Sequence, residues 1–247
     1  MRELFNDNQK KFIKDNYINM SYKEIAECLN YTERQIRGWI NLNCPNKNRD
    51  FNKKYFSEIE TPNQAYWLGF IYADGWVICN KKTSNYELGI ELARTDEQQL
   101  IDFNKELGNS HIITYNHKEK YICGNKNISI TETVLIRIYS KQIVLDLIKN
   151  NVLENKTLKS NYLIVKDKLF FDFLRGYIDG DGCIYVREDK ISHSQVHITS
   201  SHREILDYIK NKLMKYGIKS EVYQEKEMKY RLYINYKQAL KLLDLIY

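Results

Sequence analysis

Two aspartates lie near the end of a predicted helix in residues 169–186, in surroundings that suggest a chemical role. Apolar side chains recur there at the spacing i, i+3, i+4, i+7 and i+8, which predicts a helix with one apolar face. Gly176 and Gly180 lie four residues apart on this helix. Since glycine inside a helix costs about 1 kcal/mol relative to alanine, the pair indicates that another backbone approaches closely. Asp179 and Asp181 come at the helix end, where the helix dipole disfavours a carboxylate unless a cation binds there.

A second copy of this arrangement is found at residues 67–77. Gly69 and Ala73 take the places of the two helix glycines, and Asp74 takes the place of Asp181. A glycine and a short apolar run follow the aspartate in both copies. Two similar helices with small residues on one face predict a pseudo-twofold helix pair, which would bring the two aspartates together on one side.

The repetition extends well beyond these two stretches. Hydrophobic periods predict the same order of elements, αββαββα, in residues 61–150 and in residues 168–247, with a connector at residues 151–167. We therefore predict an α+β protein that contains two similar repeats. Apolar and polar residues alternate along the strands, so each sheet should have one face packed on helices and one polar face.

These features resemble the LAGLIDADG homing endonucleases in their single-chain, two-motif form, over residues 55–247. Residues 174–182 keep the family's Gly, Ile, Asp, Asp and Gly positions, and residues 67–75 keep Gly, Ile, Ala, Asp and Gly. Tyr72 stands where the family often has an acid. The resemblance implies that the two repeats form a DNA-binding saddle. It also implies a site-specific double-strand break in a long, pseudo-palindromic or bipartite double-stranded DNA target, made by phosphodiester hydrolysis.

The resemblance further implies a divalent-metal site, with Mg²⁺ or Mn²⁺ as the cofactor. Asp74 and Asp181 are the implied catalytic residues and metal ligands, and the carbonyl groups of Ala73 and Gly180 are the implied additional ligands. Hard cations such as Mg²⁺ prefer oxygen ligands, and they offset charge on the attacking and leaving oxygens of the phosphodiester. The alternative for either aspartate is a helix-end or turn residue. Asp179 is a weaker candidate, with helix packing or solvent exposure as its alternative.

The family also places basic or polar residues near the metals. By position these fall around Arg94 or Asp96 and on Arg137 in the first repeat, and near Ser201-His202 and Arg231 in the second. The resemblance implies that Arg94, Arg137 and Arg231 are further catalytic residues. The match is imperfect, because Tyr233 occupies the position of Arg137 and Arg231 lies two residues earlier on the same strand face. One active site would then be weaker, and nicking of one strand is an alternative to a double-strand break. For Arg137 the alternative is a phosphate contact without a catalytic role.

The first 44 residues predict three short helices in the order of a helix-turn-helix DNA-binding domain, similar to the small units of bacterial and phage proteins. Ser21 and Thr32 are the predicted N-caps of the second and third helices. The alternative is a three-helix packing module with solvated charges. Residues 45–60 are polar and lack periodicity, which is typical of a linker. The predicted DNA contacts of the third helix and the linker are Arg34, Gln35, Arg37, Lys47, Arg49, Lys53 and Lys54.

The bulk composition permits a nucleic-acid partner without requiring one. Lysine and arginine number 38 against 32 aspartates and glutamates, for a net charge of +6. The five cysteines are scattered and form no C-x-x-C pair, which argues against a disulfide framework and a structural zinc site. Neither a membrane span nor a signal peptide is predicted. We expect a monomeric, cytoplasmic protein of a bacterium or phage with an AT-rich genome, with an organelle as the alternative.

Two other functions are open on the same fold. One is a non-catalytic DNA-binding transcriptional regulator, which loss of the two aspartates would have favoured. The other is an intron RNA maturase, whose partner would be intron RNA.

Overall fold

A computed structural model describes residues 4–17, 20–44, 51–109, 111–120, 129–154, 165–186 and 194–247 of the chain. Two four-stranded sheets together with α-helices confirm the predicted α+β class. Contacts within the chain group it into two compact units, which are described separately. The first unit comprises Met1–Asn52 and Glu91–Tyr139, and the second comprises Lys53–Ile90 and Ser140–Tyr247.

The first unit begins with the three predicted helices, α1 (Asp7–Asn16), α2 (Tyr22–Leu29) and α3 (Glu33–Asn43). Each starts at a capping box, in which a side chain at the N-cap and one at the third helical position bond to each other's backbone N–H. The N-caps are Asn6 and the two predicted residues, Ser21 and Thr32. One apolar cluster joins the helices, and its buried members include Phe5, Ile13, Ile25, Ile36 and Ile40. The three-helix arrangement is confirmed, while its role as a DNA-binding helix-turn-helix stays a prediction.

Both repeats have the predicted order of elements. The first repeat contains α4 (Pro62–Asp74), β1 (Gly75–Asn80), β2 (Asn85–Ala93), α5 (Glu97–Glu106), β3 (Ile113–Lys120), β4 (Ser129–Tyr139) and α6 (Lys141–Lys149). The second repeat contains α7 (Phe170–Asp181), β5 (Gly182–Tyr185), β6 (Gln195–Ser200), α8 (Arg203–Lys215), β7 (Glu221–Lys226), β8 (Lys229–Ile234) and α9 (Tyr236–Ile246). The strand orders, β1-β2-β4-β3 and β5-β6-β8-β7, follow one pattern, so the two repeats share a topology.

The second sheet separates an apolar face from a polar face, as its alternation predicts. Val196, Ile198, Leu232 and Ile234 are buried on one side, where α8 and α9 pack. The opposite side carries two rows of cross-strand neighbours: Thr199, Arg231 and Tyr223 form one row, and His197, Tyr233 and Glu221 form the other. We call these six residues the polar face of the second sheet.

The sequence predicts strand β3 over His111–Asn116, but the strand starts at Ile113, because His111 is hydrogen-bonded to Asn104. The Asn104 side chain accepts a hydrogen bond from the His111 N–H at 3.1 Å and donates one to its carbonyl oxygen at 2.8 Å. The imidazole lies edge-on to Phe51 with ring centroids 4.6 Å apart. His111 is only 5% exposed, and burial lowers its pKa from 6.5 to about 4.

This buried histidine predicts a loss of stability in mild acid. Because the pKa of His111 is lower in the folded chain, protons bind the unfolded chain more readily. Its contribution is therefore complete above about pH 6.5 and is lost as the pH falls towards about 4, by about 3 kcal/mol in all. The free energy of unfolding, measured by urea denaturation at pH 7.0 and at steps down to about pH 4.5, should show this loss. In His111→Gln the loss over the same range should be smaller; an equal loss would contradict the assignment.

Among the residues that the structure describes, no helix is long and apolar enough to cross a membrane.

Candidate active site

Helices α4 and α7 of the second unit touch backbone to backbone through glycine. A β-carbon added at Gly69 would lie 2.0 Å from the carbonyl oxygen of Phe173, and one added at Gly176 would lie 1.9 Å from that of Tyr66. Tyr66 and Phe173 each lie three residues before the glycine of their own helix, so the two contacts are equivalent. The predicted pseudo-twofold helix pair is therefore present, and its glycines serve the close approach expected of them.

The helix pair brings the ends of both helices together. A β-carbon on Gly180 would lie 2.5 Å from the Ala73 β-carbon and 3.2 Å from Oδ2 of Asp74. The Asp74 carboxylate therefore lies beside the residue that precedes Asp181. Asp74 is half-buried and Asp181 is exposed, so the pair is open on the side of Asp181.

Each aspartate is the last residue of its helix, and the next residue begins a strand. Gly75 and Gly182 have extended backbones, with φ of −78° and −88°, and their N–H groups bond to the carbonyl oxygens of Ile71 and Ile178. These glycines are needed for space and not for an unusual φ, because a β-carbon on Gly182 would lie 2.5 Å from the Ile178 carbonyl oxygen. The chain thus turns directly from helix to strand at each carboxylate.

The charges at these helix ends favour a cation. The C-terminus of a helix carries partial negative charge, and two such ends meet here with two carboxylates. Within the described part of the chain, no group of three or more His, Cys, Asp or Glu residues could hold a metal ion. A site with two carboxylates is sufficient for Mg²⁺, which is usually bound by one or two carboxylates together with substrate phosphates. The donor set therefore fits a hard divalent cation that binds together with a phosphodiester.

A cavity of about 320 Å³ opens beside Asp181. Its lining residues are Tyr72, Ala73, Tyr177, Asp181, Thr199, Ser200, Ser201, His202, Ile205 and Lys229. Burial and the charge of Asp181 raise the pKa of Tyr177, and burial together with Glu204 raises the pKa of Tyr72 to about 12. Both phenols therefore stay protonated at neutral pH. The Thr199 hydroxyl donates a hydrogen bond to the Asp181 carbonyl oxygen at 3.4 Å, which ties β6 to the helix end.

Thr199 lines this cavity, and Arg231 is its neighbour on the adjacent strand. An Nη2 atom of Arg231 lies 2.5 Å from Oε1 of Glu225, while its Nε is buried without a hydrogen-bond partner in the described structure. Lys229 lines the cavity itself and pairs with Oε2 of Glu225 at 3.1 Å. The sequence pattern pointed to Arg231 but not to Lys229 or Glu225. The sequence signal for Lys229 was its position two residues before Arg231 on the same strand.

The predicted basic residues of the first repeat belong to the first unit. Arg94 pairs with Glu97 at 3.6 Å and lies over the Tyr115 ring, 3.9 Å from its centroid. Arg137 is exposed on β4. Their catalytic roles stay predictions.

Asp179 has a packing role, which was one of its two interpretations. It accepts hydrogen bonds from the hydroxyl groups of Tyr66, at 2.9 Å, and Tyr247. Arg175 lies over the Tyr66 ring, 4.9 Å from its centroid. Asp179 therefore links α7 to α4 and to the residue after α9.

Among the predicted DNA contacts, Arg34, Lys53 and Lys54 are exposed. Gln35 closes the capping box of α3, since its Oε1 accepts hydrogen bonds from the N–H and hydroxyl of Thr32. Arg37 bonds to Glu33 at 2.5 Å. Lys47 and Arg49 lie outside the described residues.

The later part of the predicted linker is packed against the second unit. Tyr55 and Phe56 are 5% and 0% exposed, and Ser57 donates a hydrogen bond to Asp146 of α6 at 2.7 Å. Polar composition dominates residues 45–60, so the two apolar side chains in it were not recognised as core. Among the described residues of the linker, only Tyr55 and Phe56 are buried.

Two four-stranded repeats, joined through a glycine-mediated helix pair with an aspartate at each helix end, define a protein of the LAGLIDADG fold. Residues 171–247 match the family model described as a LAGLIDADG-like domain. The structure of the homing endonuclease I-WcaI bound to its DNA recognition sequence matches 78% of this chain and 85% of that chain, with a TM-score of 0.54. At 18% sequence identity, this similarity establishes the fold alone.

Two uncharacterized proteins of Methanocaldococcus jannaschii are similar in sequence. One is 23% identical over 237 residues, which cover 90% of this chain and 81% of that protein. The other is 27% identical over 186 residues, which cover 73% of this chain and 64% of that protein. The chain thus spans less than two thirds of the second relative's length.

Proposed function

We propose that this protein is a site-specific DNA endonuclease that hydrolyses phosphodiester bonds with a divalent metal, Mg²⁺ or Mn²⁺. The observation that carries the proposal is the position of the Asp74 carboxylate, which lies 3.2 Å from where a β-carbon on Gly180 would be, next to Asp181. A structural role explains one such aspartate, as it does for Asp179. It does not explain why both of two adjoining helices end in a carboxylate, at the negative end of the helix dipole.

The proposed chemistry divides between the metal and the chain. When bound, the metal would offset charge on the attacking water and the leaving oxygen of the phosphodiester. Asp74 and Asp181 would hold it, together with the carbonyl groups of Ala73 and Gly180. The Thr199 hydroxyl, bonded to the Asp181 carbonyl, would orient that helix end. The buried Tyr177 beneath the cavity would remain a neutral wall, because its raised pKa prevents ionisation.

The polar face of the second sheet would be the surface that meets DNA. A two-stranded ribbon fits the major groove, and the alternating outward side chains of β6 and β8 could reach base edges or phosphates. Arg231 and Tyr233 lie on this face, beside the cavity at Asp181. The homing endonuclease I-WcaI, which has the same fold, was solved bound to its DNA recognition sequence, and this supports DNA as the partner.

The N-terminal helices would add a second DNA contact. The exposed Arg34 at the start of α3 and the exposed Lys53 and Lys54 are the residues that could reach phosphates. Such a contact would lengthen the target into a bipartite site.

Incubating the protein with a library of duplexes tests the proposal. With Mg²⁺ we expect cleavage at one long recognition sequence, identified by sequencing the new ends, and with EDTA we expect none. Binding of a specific duplex without cleavage would indicate the transcriptional regulator instead. Splicing of an intron RNA in the same buffer would indicate the maturase.

A further inference from the structure

Strand β7 contains a bulge at Glu225, close to the candidate active site. The strand pairs with β8 in regular register at Tyr223 with Arg231 and at Gln224 with Tyr230, but the next pair is Lys226 with Lys229. Glu225 is therefore the extra residue of a β-bulge. Bulges turn a side chain away from the direction that regular pairing would give it.

The bulge places one carboxylate between two cations. Glu225 bonds to Arg231 through Oε1, at 2.5 Å, and to Lys229 through Oε2, at 3.1 Å. Its pKa is lowered by the hydrogen bond from Lys229 and by the charge of Arg231. The two oxygens of one carboxylate thus hold two basic side chains of one strand, as two oxygens of a phosphate group could.

Both cations adjoin the candidate active site. Lys229 lines the cavity beside Asp181. Arg231 is the cross-strand neighbour of Thr199, whose hydroxyl bonds to the Asp181 carbonyl. In a phosphodiesterase these are the positions where a DNA phosphate next to the cleaved bond would need positive charge.

We propose that Glu225 occupies, in the DNA-free protein, the position that a backbone phosphate of bound DNA takes on Arg231 and Lys229. This inference rests on the proposed function, because it assumes that the polar face of the second sheet meets DNA. DNA must displace the carboxylate to reach the two cations, so Glu225 weakens binding to any duplex that does not also make base contacts. The competition between Glu225 and DNA phosphates therefore favours binding of the specific target over binding of non-specific DNA.

The test compares Glu225→Gln with Glu221→Gln, which removes the same charge from the same strand. Glu221 lies opposite Tyr233 and makes no ion pair with any residue that the structure describes. Binding to a duplex of random sequence is measured by fluorescence anisotropy in EDTA at several salt concentrations. We expect Glu225→Gln to bind about threefold to tenfold more tightly at low salt. Its plot of log affinity against log salt should be steeper by about 1 to 2, since each newly neutralised phosphate adds about 0.9.

A variant that lacks both cations separates the effect of the ion pairs on binding from the effect of net charge. In a chain with both Lys229→Gln and Arg231→Gln, adding Glu225→Gln should change affinity and salt slope no more than Glu221→Gln does in the wild type. The proposal is overturned if Glu225→Gln and Glu221→Gln behave alike in the wild-type chain. It is also overturned if Glu225→Gln binds more weakly, which would make Glu225 a residue that positions Arg231.

Elution from immobilised heparin tests the role of Glu225 independently of the proposed endonuclease function. Heparin is a polyanion, so Glu225→Gln should elute at higher salt than Glu221→Gln whether or not the protein cleaves DNA. If heparin shows the difference but no duplex binds, the proposed function fails while the competition between Glu225 and an anion holds. If duplexes are cut but the two variants coincide on heparin, only the inference about Glu225 fails.

Discussion

Replacing Asp74 or Asp181 with asparagine should abolish cleavage while leaving DNA binding nearly unchanged. Each change removes the negative charge of a proposed metal ligand and nearly keeps the size of the side chain. Because the metal's stabilisation of the transition state is worth several kcal/mol, the double-strand cleavage rate should fall at least about a thousandfold. The measurement is cleavage of the target duplex in Mg²⁺, with anisotropy of the same duplex as the binding readout.

Asp179→Asn provides the matched control for Asp181→Asn. It lies two residues earlier on the same helix. The two phenols donate to different oxygens of Asp179, so the asparagine oxygen can accept one of these hydrogen bonds and its amide group can donate to the other phenol oxygen. This variant should cleave at close to the wild-type rate. Wild-type cleavage by both Asp74→Asn and Asp181→Asn would remove the basis of the proposed function. An equal loss in Asp179→Asn would mean that the helix pair, and not the metal, had been disturbed.

Replacing Gly176 with alanine should destabilise the second unit strongly. The new β-carbon would lie 1.9 Å from the Tyr66 carbonyl oxygen, and a backbone atom cannot move aside without moving helix α4. Overpacking of a rigid contact costs about 1–3 kcal/mol and sometimes more, and we expect a loss near the top of this range. Gly69→Ala should behave similarly, because it meets the Phe173 carbonyl oxygen at 2.0 Å. Chemical denaturation followed by circular dichroism measures both.

Gly38→Ala is the control for these helix glycines. Gly38 lies within α3, and a β-carbon there would meet nothing within 4 Å. This change should therefore stabilise the chain by about 1 kcal/mol, the ordinary gain of alanine over glycine in a helix. If the free energy of unfolding rises in Gly38→Ala and falls in Gly176→Ala, the loss at Gly176 comes from the close approach of the two helices. A gain at Gly176 would contradict the backbone contact between the two helices.

The sequence predicted the elements well because their signals are local. Residue spacing and turn signals predict two helices at Tyr22–Leu29 and Lys141–Lys149 and two strands at Ser129–Tyr139 and Gln195–Ser200. These are the bounds of α2, α6, β4 and β6 in the structure. The glycine pairs also pointed correctly to a close helix contact, because glycine within a helix has a cost that needs a compensating reason. Where β3 begins was not predictable, because it depends on the side chain of Asn104 reaching His111.

For the candidate site, too, some features follow from the sequence and others depend on the tertiary structure. The sequence alone determined that two helices end in aspartates and that small residues line one face of each, since residue type and spacing carry this information. Only the tertiary structure decided which carboxylates serve which purpose. Asp179 and Asp181 are alike in sequence, yet Asp179 accepts hydrogen bonds from the phenols of Tyr66 and Tyr247, while Asp181 lines the cavity.

The tertiary structure also decided how the basic residues are held. Lys229 and Arg231 share Glu225 because a bulge in β7 shifts the register by one residue. Neither strand pairing nor a bulge leaves a period in the sequence, because both are set by contacts between distant segments. Local spacing therefore determined the elements and their small-residue faces, and long-range packing determined the partners of each charged side chain.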